Sequence, residues 1–298
     1  MERKIIYLIN PISGAIKKEG IINLIEKETT KAGIAFEIVS TNIDGDYSII
    51  KEKISKEKIT DVIIVGGDGS VNHVTGALYD TKVRFGIIPL GSGNGLAFTA
   101  GIPSNPKKAM TRIFSGETIL VDAFKINGHF ACMLSGLGFD AQVAHDFAKG
   151  SSRGLLTYIR QSTINYIKAK PYCFEIIVNN IAFKSNALFI SIANSNQFGN
   201  NITIAPKASL NDGLLDVIIV NKMNKVLMSL FLVQQIAGKN KLQNIKNKIE
   251  KKGIVYFQTD SLTIRNIENA PLHIDGEPKE NTSELTIRLI KDCFQLII

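Results

Sequence analysis

The sequence has no tryptophan, and aromatic residues make up only 7% of its 298 positions. No basic stretch alternates with aromatic rings that could stack on bases, so nucleic acid is the least favoured partner. The three cysteines (Cys132, Cys173 and Cys293) lie far apart, and no CxxC or Cys/His cluster occurs. This pattern supports neither a disulfide framework nor a zinc site, and it is typical of a protein from a reducing cytoplasm.

Long hydrophobic runs are absent as well. The apolar run that follows Met1 is too short for a signal peptide, and no later run reaches the roughly 18 residues of a membrane-spanning helix. Any contact with a membrane is therefore expected to be peripheral. The chain is 45% hydrophobic with a net charge of +8, which predicts a sizeable core and favours anionic partners such as nucleotides or anionic lipid surfaces.

The pattern of apolar residues changes about two fifths of the way along the chain. Residues 1–122 alternate short apolar strands with helices, which is typical of a doubly wound parallel sheet. Beyond that point, runs with period-two alternation and polar turns such as Asn179-Asn180 predict a β-rich antiparallel sandwich. Helical segments near 155–168 and 225–249 interrupt it. We predict an α/β protein with domains 1–122 and 123–298 and a nucleotide cleft between them.

Three glycine-containing loops follow predicted strands of the first domain. They are Asn10-Pro11-Ile12-Ser13-Gly14, Gly66-Gly67-Asp68-Gly69 and Pro89-Leu90-Gly91-Ser92-Gly93-Asn94. The carboxyl ends of parallel strands meet at one edge of a sheet, which is where open α/β sheets bind ligands. Bare glycine backbone lets main-chain N–H groups approach phosphate oxygens, and a helix N-terminus adds positive potential. The alternative is a set of tight turns without a ligand.

Two later motifs carry carboxylates. Residues 209–216, which read Ser-Leu-Asn-Asp-Gly-Leu-Leu-Asp, form a predicted turn whose oxygen atoms are suitable ligands for Mg²⁺, although a plain hairpin turn is equally consistent with the residues. Asp275 and Glu277 flank a glycine. In an extended chain these two side chains would face the same way and could both point into a cleft, whereas the alternative is a solvated turn.

Taken together and in this order, the five motifs resemble the catalytic domain of the diacylglycerol kinase and sphingosine kinase family, which includes soluble bacterial lipid kinases. The resemblance covers nearly the whole chain. It implies an enzyme that uses ATP and Mg²⁺ to phosphorylate a lipid hydroxyl. Such a reaction requires phosphates to be held, their charge to be neutralised and the nucleophile to be aligned, which glycine loops and separated carboxylates can provide.

The resemblance also implies roles for individual residues. Catalytic roles fall to Glu277, as proton acceptor for the lipid hydroxyl, to Asp68, at the metal–phosphate end, and to the neighbouring Asp275. The implied ATP-binding residues are Asn10, Pro11, Ile12, Ser13, Gly14, Thr41, Gly66, Gly67, Asp68, Gly69, Ser70, Asn72, Gly91, Ser92, Gly93 and Asn94. Asp140 matches the position at which sphingosine kinases hold the sphingoid head group. Ser209, Asp212 and Leu214 match a structural Mg²⁺ site, the outer two through their backbone carbonyls.

The substrate remains open at this point. Bacterial diacylglycerol kinases usually carry Gly-Thr-x-Asn-Asp in the third loop, whereas the sequence Gly91-Ser92-Gly93-Asn94 resembles the sphingosine and ceramide kinase version. Diacylglycerol and a sphingoid base are thus both candidates, with ceramide and phosphatidylglycerol further possibilities. The alternatives in other classes are an NAD kinase, whose family shares the Gly-Gly-Asp-Gly loop, and a non-catalytic protein that binds lipid or nucleotide. The oligomeric state is not indicated.

A basic segment adjoins an apolar one late in the chain. Six lysines lie between Lys239 and Lys252, against the single acid Glu250, and the preceding residues 226–233 are strongly apolar. This composition is typical of a surface that rests on an anionic bilayer. The alternative is a core helix followed by a solvated lysine face. We predict a cytoplasmic protein that makes peripheral contact with an anionic membrane.

Overall fold

A computed structural model describes most of the chain, and it divides into two compact units. The described residues are 2–11, 18–42, 45–149, 169–197, 203–224, 233–243 and 253–298. One unit comprises Met1–Asp122 and Lys291–Ile298, and the other comprises Ala123–Ile290. The helix predicted near 155–168 lies outside the described residues, as does most of the one predicted near 225–249.

The N-terminal unit alternates strands with helices, as the sequence predicts. Its elements are β1 (Lys4–Ile9), α1 (Lys18–Lys31), β2 (Ala35–Ser40), α2 (Ser48–Glu57), β3 (Asp61–Gly66), α3 (Asp68–Leu78), a 3₁₀ turn (Tyr79–Thr81), β4 (Arg84–Pro89), α4 (Gly95–Thr99) and α5 (Pro106–Ser115). The strands pair in parallel in the order β2-β1-β3-β4. All six residues of β3 are buried, which explains why this strand reads as a continuous apolar run rather than an alternating one.

The C-terminal unit is built almost entirely from strands. Its elements are β5 (Thr118–Ile126), which begins in the N-terminal unit, β6 (His129–Ala131), β7 (Leu134–Gly138), α6 (Phe139–Lys149), β8 (Tyr172–Val178), β9 (Ile181–Ala193), β10 (Leu215–Asn221), β11 (Ile254–Thr259), β12 (Ser261–Asn266), β13 (Leu272–Ile274), β14 (Glu277–Lys279) and β15 (Glu284–Ile297). Their pairings within this unit are antiparallel. The end of β15 belongs to the N-terminal unit, where it pairs in parallel with β4.

Two apolar clusters form the interior of the C-terminal unit. The larger contains Phe174, Ile190 and Phe257, and the smaller contains Phe189 and Tyr256. Adjacent residues Phe189 and Ile190 therefore face opposite sides of β9, as the period-two geometry of a strand requires. A parallel α/β region followed by an antiparallel β-sandwich confirms the predicted fold class.

Candidate active site

Asn10, which follows β1, and the loops that follow β3 and β4 lie side by side at the carboxyl edge of the parallel sheet. The backbone N–H of Asn10 donates to the carbonyl of Val65 at 3.1 Å, and that of Leu90 donates to the carbonyl of Gly66 at 2.8 Å. The backbone N–H of Thr41, just after β2, donates to the carbonyl of Ile9 at 2.9 Å. The structure thus brings together the described members of the predicted ATP-binding set, while Ile12, Ser13 and Gly14 lie outside the described residues.

Two of these loops touch through bare backbone. A Cβ added at Gly91 would lie 2.6 Å from the Cα of Gly67, and one added at Gly67 would lie 2.9 Å from the Cα of Gly91. Neither position can carry a side chain without moving the other loop. Asn94 holds the second loop closed, because its Oδ1 accepts from the Gly91 N–H at 2.9 Å and its Nδ2 donates to the Gly91 carbonyl at 2.7 Å.

The second loop runs directly into helix α3. Asp68 is the first residue of that helix and is half-buried, and Gly67 precedes it in an extended conformation. Asn10 Nδ2 donates to Ser70 Oγ at 2.7 Å, which links the residue after β1 to the first turn of α3. A helix N-terminus preceded by glycine backbone, as at the start of α3, offers N–H groups and positive potential that are suited to an anion such as phosphate.

In the C-terminal unit, Asp275 and Gly276 form the two-residue turn between β13 and β14. Both have positive φ angles, 47° and 83°, as a type I′ hairpin turn requires. Of the two geometries that the sequence left open for Asp275 and Glu277, the structure has a turn rather than an extended chain. Asp275 is only 7% exposed, and its carboxylate accepts backbone N–H bonds from Cys132, Met133 and Leu134 at 2.9–3.1 Å.

Glu277 is the first residue after this turn. It lies opposite Ile274 in the β13–β14 pair, and its side chain is about one third exposed. Lys279 Nζ lies 3.3 Å from its Oε2. Glu277 is thus a partly accessible carboxylate on a turn whose other carboxylate, that of Asp275, is buried and held by main-chain donors.

Asp140 lies next to His273, which comes two residues before the same turn. It is 7% exposed, and its Oδ2 accepts from Ser191 Oγ at 3.2 Å and lies 3.0 Å from His273 Nε2. His273 was not among the predicted site residues. A histidine placed two residues before an Asp-Gly turn is a weak signal, because only the strand register shows what its side chain faces.

The third group is the turn that leads into β10. Asp212 is exposed, its Oδ1 accepts from the Leu214 N–H at 3.1 Å, and Ser209 Oγ donates to Asn211 Oδ1 at 3.2 Å. The described part of the chain contains no group of three or more His, Cys, Asp or Glu side chains that could hold a metal ion. The predicted site has a different composition, namely one carboxylate and two main-chain carbonyls, and hard oxygen atoms in a turn suit Mg²⁺.

The base of this turn is held by a buried polar cluster. Tyr256 Oη donates to Asp216 Oδ1 and accepts from the Lys207 N–H at 3.1 Å, while Gln258 Nε2 donates to Asp216 Oδ2 at 3.1 Å. Burial raises the pKa of Asp216 to about 6 despite these hydrogen bonds, and burial together with the hydrogen bond to Asp216 also raises the pKa of Tyr256. Tyr256 thus links Lys207, which precedes the turn, to Asp216, which follows it.

Comparison with known proteins agrees with this architecture. Residues 4–126 match the family model for the diacylglycerol kinase catalytic domain, and residues 134–297 match that for the YegS C-terminal NAD kinase beta sandwich-like domain. A diacylglycerol kinase of Bacillus subtilis (strain 168) is 25% identical over 92% of this chain and 89% of its own length. The lipid kinase YegS of Escherichia coli (strain K12) is 27% identical over 88% of each chain. The crystal structure of a diacylglycerol kinase from Bacillus anthracis str. Sterne superposes with a TM-score of 0.75 at 20% identity, covering 99% of this chain and 96% of that one.

An α/β unit with glycine loops at the carboxyl edge of its sheet, followed by an antiparallel sandwich, is the two-part arrangement that the two family models describe. The chain belongs to the family of bacterial diacylglycerol kinases and YegS lipid kinases, and the resemblance stated above is confirmed. It is thus an enzyme of the lipid kinase class, which implies ATP as phosphoryl donor and a lipid as acceptor. Within the described residues, no helix is both long enough and apolar enough to span a membrane.

Proposed function

We propose that this enzyme transfers the γ-phosphoryl group of ATP to a hydroxyl of diacylglycerol. The observation that carries the proposal is the contact between Gly67 and Gly91 beside the N-terminus of α3, where both loops present bare glycine backbone. The name diacylglycerol kinase borne by one relative supports this lipid. A sphingoid base is the second candidate, because the loop Gly91-Ser92-Gly93-Asn94 resembles that of sphingosine and ceramide kinases.

The proposed roles are those that the family resemblance implies, and the positions and burial of the residues support them. Asn10, Thr41, the Gly66–Ser70 segment and Ser92 bind the nucleotide, with its phosphates at the start of α3. Asp68 acts at the metal–phosphate end, where bound Mg²⁺ would neutralise phosphate charge. Glu277 accepts the proton of the lipid hydroxyl, since it is the accessible carboxylate of its turn. Asp275 positions that turn rather than touching substrate, because three backbone donors occupy its carboxylate.

A second Mg²⁺ is proposed at the turn before β10. The carbonyls of Ser209 and Leu214 and the carboxylate of Asp212 would hold it. Its contribution there is structural, because a bound cation fixes the turn and the start of β10. We further propose that the enzyme is cytoplasmic and reaches its lipid through peripheral contact with an anionic membrane.

The decisive experiment follows label from γ-labelled ATP into a panel of possible acceptors. The panel contains diacylglycerol, sphingosine, dihydrosphingosine, ceramide, phosphatidylglycerol and NAD. We expect label in diacylglycerol, or in a sphingoid base if the second candidate holds. Glu277→Gln should lower kcat by about 10²–10⁴-fold while leaving ATP affinity nearly unchanged, because a general base contributes in the transition state.

Glu280→Gln is the matched control, since Glu280 is exposed and follows β14 closely in the chain. It should behave as the wild type. Label that appears only in NAD would make the protein an NAD kinase, and label in none of the acceptors would favour a binding protein. A Glu277→Gln enzyme with undiminished kcat would remove the proposed base.

A further inference from the structure

Strands β9, β7 and β13 are neighbours in the sheet of the C-terminal unit, and one residue of each lies at the same level across the three strands. Gly136 on β7 lies opposite Ser191 on β9 and opposite His273 on β13. Directly opposed residues in a sheet project from the same face, so Ser191 and His273 flank a position that has no side chain. A Cβ added at Gly136 would lie 2.8 Å from His273 Nε2 and closer still to Asp140 Oδ2. The glycine therefore makes the space in which the Asp140 carboxylate lies.

Asp140 comes from the first turn of α6, immediately after β7. Its Oδ2 receives a hydrogen bond from the side chain on each flank, from Ser191 Oγ at 3.2 Å and His273 Nε2 at 3.0 Å. The exposed fractions are 7% for Asp140 and 3% for His273. This carboxylate thus faces protein donors within the unit, which is unlike a group that takes a lipid head group from solvent.

The two nitrogens of His273 have opposite roles. The backbone N–H of Gly276 donates to Nδ1 at 3.1 Å, so Nδ1 carries no proton. The proton of the neutral ring is therefore on Nε2, which donates a hydrogen bond to Asp140 Oδ2. A carboxylate that accepts from one ring nitrogen fixes both the tautomer and the orientation of the ring. By accepting from Nε2, Asp140 leaves Nδ1 as the unprotonated acceptor for the Gly276 N–H.

Gly276 lies in the middle of the turn that carries Glu277. One side of the turn is held by Asp275, through the backbone donors of residues 132–134. The other side is held by His273, through the Gly276 N–H. We propose that His273 and Asp140 are positioning residues that orient Glu277, a role that rests on the proposed function of Glu277 as proton acceptor. This role replaces the lipid contact expected for Asp140.

Two substitutions of His273 separate its two hydrogen bonds. In His273→Asn, the amide oxygen lies near the place of Nδ1 and keeps an acceptor for Gly276. In His273→Gln, the longer side chain can still donate to Asp140 but offers no acceptor at the Nδ1 position. We expect His273→Gln to lower kcat about 10–100-fold with little change in KM for ATP or lipid, because small misplacement of a reacting group is costly. His273→Asn should keep kcat within a few-fold of the wild type.

Amide hydrogen exchange at Gly276 gives a readout that does not depend on kinase activity. Exchange should accelerate at least about tenfold in His273→Gln and change little in His273→Asn. Asp140→Ala should lower kcat to a similar degree, and its effect should not add to that of His273→Gln, because both act through one hydrogen-bond chain. A lipid contact by Asp140 would instead raise KM for the lipid in Asp140→Ala while leaving it unchanged in His273→Gln.

Three outcomes would overturn the positioning role. They are equal loss of kcat in the Asn and Gln variants, unchanged kcat in His273→Gln despite faster exchange at Gly276, and unchanged exchange in His273→Gln. Failure of the proposed function looks different. In that case the wild type labels no lipid, or Glu277→Gln is fully active, whatever the exchange rates at Gly276 are.

Discussion

Asp61 opens β3 with a side chain that is fully buried, and two arginines neutralise it. Arg3 Nε lies 2.5 Å from Oδ2 and Arg84 Nε lies 2.6 Å from Oδ1, while Thr60 Oγ1 donates to Oδ2 at 3.2 Å. Arg3 also donates to the carbonyls of Ile113 and Phe114 at the end of α5. Asp61 thus holds Arg3, which precedes β1 and contacts the end of α5, and Arg84, which begins β4, at the edge of the sheet opposite the glycine loops.

Replacing Asp61 tests how much this arrangement contributes to stability. Asp61→Asn removes the charge that compensates two guanidinium groups, and we expect a loss of about 2–4 kcal/mol in the free energy of unfolding. We expect a smaller loss than for a fully buried ion pair, because the side chains of Arg3 and Arg84 are 19% and 28% exposed. Urea denaturation followed by circular dichroism would measure it.

The exposed pair Lys51–Asp80 is the control for this prediction. Its side chains are 42% and 56% exposed, so Asp80→Asn should cost at most about 1 kcal/mol. Equal effects of the two substitutions would mean that Asp61 contributes no more than a surface charge.

Among the elements, the hairpin turns show what could be predicted from sequence. Asn127-Gly128, Asn179-Asn180 and Asp275-Gly276 each link paired strands by two residues with positive φ. Asn-Gly and Asp-Gly are the residues that type I′ turns favour. The turn at 179–180 was predicted, whereas at Asp275 the sequence left both an extended chain and a solvated turn open. Strands β13 and β14 are three residues each, which is too short for alternation to show their boundaries.

The glycine loops show a similar limit. Parallel strands place their carboxyl ends together, so the adjacency of the loops after β1, β3 and β4 could be predicted. The contact between Gly67 and Gly91 depends on how far each loop extends beyond its strand, which no local pattern encodes. The same holds for Asp140 and His273, which meet only because β7 and β13 pair in one register.

The turn before β10 carries the prediction about a bound metal. If Mg²⁺ binds there only in the folded state, a concentration one hundred times its dissociation constant adds about 2.7 kcal/mol to the free energy of unfolding. We expect chelation to lower the melting temperature of the wild type, and Asp212→Ala to lose this dependence on Mg²⁺. Differential scanning calorimetry with and without chelator would measure both.

Asp260→Ala serves as the control for Asp212, because Asp260 is also an exposed aspartate at a turn. It should keep the Mg²⁺-dependent part of stability. A wild-type melting temperature that ignores both Mg²⁺ and chelator would exclude a stabilising metal at residues 209–214.

At the scale of the whole molecule, the end of the chain could not be assigned from sequence. Residues 291–298 follow directly from the β-rich region, yet they belong to the N-terminal unit, where Gln295 lies opposite Arg84. In addition, the backbone N–H of Asp292 donates to the buried Asp122 at 2.7 Å. Pairing between residues so distant in the chain leaves no trace in a local pattern of hydrophobic residues.

The net charge of +8 bears on how the enzyme meets a lipid. Val233 and Ile236 are 62% and 45% exposed, and the nearby Lys239 and Lys241 are exposed as well. Exposed aliphatic side chains close in sequence to lysines are the composition that binds anionic bilayers. The remaining lysines of this segment, at 246, 248, 251 and 252, lie outside the described residues.

We therefore expect the protein to bind phosphatidylglycerol vesicles at low salt and to be released as salt rises. Each lysine near an anionic surface contributes about 1 kcal/mol, and this attraction falls off within a Debye length. The double variant Val233→Ser/Ile236→Ser should weaken binding through lost apolar contact, and Lys239→Gln/Lys241→Gln should weaken it through lost charge. Vesicle co-sedimentation would measure all three effects.

Ile49 provides the matched control, because it is 76% exposed but lies on α2 of the N-terminal unit. Ile49→Ser removes similar apolar surface and should leave vesicle binding unchanged. If Ile49→Ser weakens binding as much as the 233/236 variant does, the attraction is a general effect of exposed aliphatic groups. If neither salt nor the lysine substitutions alter binding, the lysines are ordinary solvated charges that do not attract the membrane.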